Sequence, residues 1–142
     1  MTKTAKTVLR LAMALTMAAG AASAATVDVK IHDVASAKGR VLVSLCAKSE
    51  FLRDCEQKRS VPASRGDVVV QFSQMEAGDY AVMTFHDENG DYEMNRNALG
   101  VPTEGGGFSR NPAIDRGPPT FDQASVKVGA ANVVVDVNLV YW

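Results

Sequence analysis

Apolar and polar positions alternate along most of this chain from residue 27 onward. Val27, Val29 and Ile31 alternate with Asp28, Lys30 and His32, a period of two that predicts a strand with one wet face and places His32 outward. Residues 40–46 (R-V-L-V-S-L-C) predict a second strand, and the turn-forming residues 36–39 predict a hairpin joining the two. Between residues 47 and 66 the pattern stops; Ser49 can cap a short helical turn and Pro62 ends it, so this stretch reads as a crossing segment. Residues 67–72 predict a third strand and residues 80–86 a fourth. In the fourth, Tyr80, Val82, Thr84 and His86 share one face and Ala81, Met83 and Phe85 the other, as in the middle of a sheet. Residues 121–128 predict a fifth strand and residues 132–142 a long last one, with Val133, Val135, Val137, Leu139 and Tyr141 facing the core. No ten-residue helical period occurs after residue 24. The pattern predicts an all-β protein, a small antiparallel β-sandwich of about six or seven strands with one long glycine-rich loop.

The first 24 residues do not share this pattern. Lys3, Lys6 and Arg10 precede a short apolar run from Leu11 to Ala22, and Ala22-Ser23-Ala24 matches a cleavage site. This predicts a signal peptide over residues 1–24, a single domain over residues 25–142, and a periplasmic or secreted protein with no transmembrane anchor after cleavage. Cleavage removes three of the 15 Lys+Arg and none of the 16 Asp+Glu, leaving a mildly acidic chain whose basic residues are dispersed. Nucleic acid is therefore excluded as an expected partner, because phosphate binding calls for clustered cations. In an oxidising compartment the two cysteines, Cys46 and Cys55, are expected to form a structural disulfide.

The chemistry concentrates between His86 and Ser109. Asp87, Asn89 and Asp91 reproduce the first three ligand positions of a calcium loop, where alternate residues turn oxygens toward one point. The EF-hand version fails, since Gly90 precedes Asp91 and the twelfth position is Ala98. Glu93 or Glu104 would have to complete the sphere, giving Asp87, Asn89, Asp91, Glu93 and Glu104 as the candidate metal set and calcium as the candidate ion. The alternative is a loop whose Asp and Asn side chains bond their own backbone. His86 and Asp87 adjoin on a strand and so point to opposite faces, which prevents a direct dyad; His86 is expected to be a strand-end residue bonded to the loop. The triple glycine at 105–107 lacks the helix and lysine of a phosphate cradle, and a backbone-turning role is expected.

Three blocks in order, G-D-Y-A-V-M-T-F-H-D-E-N-G-D (78–91), A-L-G-V-P-T-E-G-G-G-F-S (98–109) and G-P-P-T-F-D-Q-A (117–124), resemble a bacterial exported family, domain of unknown function 2141. The resemblance implies an extracytoplasmic β-sandwich, of the transthyretin-like or carboxypeptidase-regulatory-like kind, and supplies no catalytic residues. Where the family pattern carries an Asp this chain has Asn95, which removes one carboxylate from the loop. The leading expectation is an exported, non-enzymatic binding or structural module. Its Asp87 to Pro119 loop would meet a protein or small ligand on a rigid scaffold. The rival is a small extracytoplasmic hydrolase using His86 and the carboxylates Asp87 and Glu104, which requires those groups to converge in an enclosed pocket.

Overall fold

The computed structural model describes residues 24–142; the leader expected over residues 1–24 falls outside them except for Ala24. Eight strands and one short helical turn follow in the order β1 (Ala25–Val34), β2 (Arg40–Cys46), β3 (Gln57–Pro62), β4 (Gly66–Met75), β5 (Gly78–Asp87), β6 (Gly106–Phe108), α1 (Phe121–Ala124), β7 (Ser125–Val128) and β8 (Val133–Asn138). They form two sheets. One has the order β4-β1-β8, and the other β3-β2-β5-β6 with β7 also pairing β5. The two inner faces bury Val27, Val29 and Ile31 of β1, Phe72 of β4, Val41, Val43 and Leu45 of β2, Val82 of β5 and Val137 of β8 in one apolar cluster. This is the layered sandwich that period-two alternation demands, since each sheet must cover its apolar face with the other.

Four expectations change. The β1–β2 hairpin does not form: β1 pairs antiparallel with β4 and parallel with β8, while β2 pairs with β3 and β5. Both partners of β1 lie in its own layer, so residues 35–39 form an arch between layers. Gly39 sits at φ 66°, and a Cβ there would collide with the Asp87 carbonyl oxygen. The stretch read as a crossing segment contains β3, an edge strand of mostly polar residues that pairs Val41 with Val61 and Leu45 with Gln57. An edge strand wet on its free side carries no apolar alternation, which hides it from pattern reading. The fifth predicted strand begins as α1, because Thr120 and Gln123 form a capping box: the Gln123 N–H donates to Thr120 Oγ1 at 3.4 Å and the Thr120 N–H to Gln123 Oε1 at 2.8 Å. The last strand ends at Asn138, not Trp142, and the chain then leaves the first layer to bridge Val140 with Gly106 of the second.

Outside the second sheet lies a smaller apolar cluster of Cys46, Phe51, Cys55, Ala81 and Ala124, with Met83, Phe108 and Phe121 packed on it. Phe51 meets Phe108 and Phe121 edge-on at 6.0 and 5.7 Å. The expected Cys46–Cys55 disulfide is present, with Cα atoms 5.1 Å apart. It anchors the segment that carries Phe51 to the end of β2, restricting the unfolded chain as a short closed loop does.

Candidate metal and recognition loop

The loop from the end of β5 to β6 is built around two buried carboxylates. Asp87 is fully buried and Glu104 is 5% exposed. Asp87 Oδ1 accepts the N–H groups of Gly90 (2.9 Å) and Asp91 (3.2 Å), and its Oδ2 accepts that of Tyr92 (2.9 Å). Glu104 reaches across the loop: Oε1 accepts from Glu88 N–H at 3.2 Å and Oε2 from Asn95 N–H at 3.1 Å. Asp91, exposed, accepts from the side-chain amides of Asn89 (3.1 Å) and Asn95 (2.8 Å) and from Glu93 N–H (2.9 Å). These bonds hold its carboxyl below the usual carboxylate range, the Asn95 bond contributing most. Beyond this turn, residues 95–103 fold back on themselves through Thr103 N–H to Asn95 O and Asn97 N–H to Val101 O, both 2.9 Å. Two buried carboxylates therefore act as the interior posts on which the backbone is hung.

The same turn brings one carboxylate oxygen each from Asp87, Asp91 and Glu104 within 4.8 Å of one another. No Lys, Arg or His pairs with any of the three among the described residues. Glu93 is exposed and meets the group only through its backbone N–H, which donates to Asp91. Asn89 accepts the Asp91 N–H at 3.3 Å and donates to Asp91 and Asn95. Backbone bonding and convergence of carboxylates, weighed as alternatives in the sequence, coexist.

His86 is fully buried and faces away from this group. Its Nε2 lies 2.7 Å from Lys38 O, which can only accept, so Nε2 carries a hydrogen. The Tyr141 hydroxyl receives the Ala35 N–H at 2.9 Å and is left to donate its own hydrogen to His86 Nδ1, also at 2.9 Å. His86 thus ties β5 to the arch at 35–39 and to the C-terminal segment. It does not converge with Asp87 or Glu104, as a hydrolase would require. Tyr141, expected in the core, is instead 37% exposed and is held by these two bonds.

The triple glycine is needed for close approach, not for turning. None of Gly105, Gly106 and Gly107 has positive φ. A Cβ at Gly105 would enter the Tyr141 ring, one at Gly106 would lie 3.1 Å from Met94 Cε and 3.4 Å from Trp142, and one at Gly107 would lie 2.9 Å from Val137 Cγ1. Three successive residues without side chains let the C-terminal segment cross β6 and stack against it. The crossing also floors a cavity of ≈ 260 Å³ lined by Met94, Phe108, Ile114 and Trp142, with Arg96 and Asp115 among its walls. No local pattern in the sequence groups these residues, because they converge only through the crossing.

A sequence profile of uncharacterized proteins conserved in bacteria matches residues 29–136. The chain belongs to this family, DUF2141. No curated protein and no solved structure matches it. The profile's span runs from β1 through the carboxylate loop to β8, so in this DUF2141 chain the loop lies inside the family's domain. The disulfide is present, and no helix of the described residues is long and apolar enough to cross a membrane.

Proposed function

We propose that this chain is an exported, non-enzymatic binding module whose Asp87 to Pro119 loop is its recognition surface and is braced by a weakly held calcium ion. The observation that carries the calcium reading is the convergence of three carboxylate oxygens within 4.8 Å with no cationic side chain paired to them among the described residues. Oxygens on opposite sides of a calcium ion, each about 2.3–2.6 Å from it, are separated by about that distance. All the donors are oxygens, whereas zinc would call for His or Cys, and a loose loop set suits calcium better than the small octahedral shell of magnesium. Asp87, Asp91 and Glu104 would be the ligands, with the amide oxygen of Asn89 as a further donor. Glu93 is the weakest member of the expected set. The loop oxygens already accept backbone N–H groups, so ion binding adds to an ordered turn and leaves affinity in the weak extracellular range, a Kd of about 0.1–1 mM. A charged leader over residues 1–24 and a disulfide both suit export to an oxidising compartment.

The test is a thermal melt in chelator, in calcium and in magnesium. At free calcium ten times Kd, linkage adds about 1.4 kcal/mol, which raises Tm by several degrees for a domain of this size. Magnesium should do less, and Asp91→Asn should abolish the rise. An equal response to both ions, or a rise that persists in the variant, sinks the calcium reading.

A further inference from the structure

The cavity beside β6 has a chemistry that the carboxylate loop does not share. Its body is apolar, formed by Met94, Phe108, Ile114 and Trp142, and one cationic and one anionic side chain, Arg96 and Asp115, share its lining. These two charges do not pair with each other or with any other side chain among the described residues. Arg96 Nη1 donates to Gly100 O at 2.9 Å, which holds the guanidinium at the wall and leaves its other N–H groups uncommitted. At ≈ 260 Å³ the cavity falls just below the volume of sites for drug-sized ligands, about 300–1,000 Å³. It suits one small molecule and not a nucleotide or an oligosaccharide. Opposite charges left unpaired beside an apolar body are the complement of a ligand that carries both signs and an apolar group.

We infer that this groove binds a small zwitterion with an apolar body, the class to which free amino acids with apolar side chains belong. The carboxylate lies on Arg96, the ammonium on Asp115, and the side chain between Met94, Phe108 and Trp142. The inference rests on reading the Asp87 to Pro119 loop as a recognition surface and names its ligand class. It does not require the ion, because the groove walls are built by the 95–103 fold-back, by residues 114–118 and by the C-terminal crossing.

Trp142 is the only tryptophan of the chain, so its emission reports occupancy directly, with isothermal titration in parallel. The purified protein is titrated with L-phenylalanine, 3-phenylpropanoate, phenethylamine and N-acetylphenylalanine amide. L-Phenylalanine should give a saturable signal, and each analogue lacking a charge should bind about tenfold or more weakly, as loss of one charge-assisted hydrogen bond implies. Arg96→Gln should weaken L-phenylalanine and 3-phenylpropanoate while sparing phenethylamine, and Asp115→Asn should weaken L-phenylalanine and phenethylamine while sparing 3-phenylpropanoate. Both positions are at the exposed surface, so the variants keep the fold. Absence of heat and emission change with L-phenylalanine overturns the proposal. So does equal binding of the blocked amide, which would mark a pocket for polypeptide side chains, or indifference to both substitutions. Calcium-dependent melting, measured on the same samples, separates the two readings: a silent groove with an intact calcium response removes only the ligand class, and the converse removes only the ion.

Discussion

Replacing Asp87 by Asn probes the loop most directly, because the substitution keeps the shape of the side chain and changes only charge and one donor. Asp87 is fully buried, and its two oxygens accept three backbone N–H groups. In the variant one oxygen survives, best placed to keep Gly90 and Asp91, while an amide NH₂ takes the position that faced the Tyr92 N–H at 2.9 Å. One bond to a charged group is lost, at about 1.5–3 kcal/mol, the two remaining bonds lose their charge assistance, and a buried donor now faces a donor. The expected loss is about 2–4 kcal/mol, a large part of a total stability of about 5–15 kcal/mol. Asp91→Asn is the control: its carboxylate is exposed and water can replace what is lost, so in chelator it should cost clearly less than Asp87→Asn. Urea unfolding in chelator, with equal slopes required of all three proteins, gives the two differences. If Asp87→Asn costs no more than Asp91→Asn, the buried carboxylate is not what holds the turn, and the argument built on its three bonds fails.

Two more outcomes follow from side-chain bonds elsewhere in the fold. Tyr141→Phe should cost about 1–3 kcal/mol, because the buried His86 Nδ1 loses its hydrogen-bond donor, whereas Trp142→Ala should cost well under 1 kcal/mol; similar midpoints for the parent and Tyr141→Phe in denaturant melts would show that the tail is not anchored by that hydroxyl. On the outer face of the first sheet, His32 lies between Asp136 (Nε2, 2.7 Å) and Asp67 (Nδ1, 3.0 Å), and these bonds, Asp136 first, raise its pKa above the ordinary 6.5. A folded-state pKa above the unfolded one gives a stabilisation that is complete below about 6.5 and is lost as pH rises through the folded value; stability should therefore decline from pH 6 toward 8 in the parent and less in His32→Gln, and matching pH profiles would refute the contribution of the clasp.

Alternation along the chain is enough to predict a layered all-β fold, and composition much of its chemistry. Strict alternation in residues 27–31 and 135–139 is enough to predict strands with one buried face, because a side-chain period of two admits no other regular element. Two cysteines with eight residues between them sufficed to predict their disulfide. The concentration of Asp, Asn and Glu after His86 marked the stretch where the carboxylates converge, since oxygen-rich turns announce themselves locally. Pairing was decided only by the tertiary structure. Which strand lies beside β1 depends on how the whole inner face is covered, so the short 36–39 turn, a fair local signal for a hairpin, yielded to an arch between layers and a parallel partner from the far end of the chain. The T-F-D-Q capping box at residues 120–123 is a local signal, whereas β3 carries none, because a strand wet along one edge has no apolar rhythm. The purpose of the triple glycine, the place of Tyr141 and the groove beside β6 all arise from residues 139–142 crossing to residues 105–107, a contact between segments more than 30 residues apart that no local pattern records.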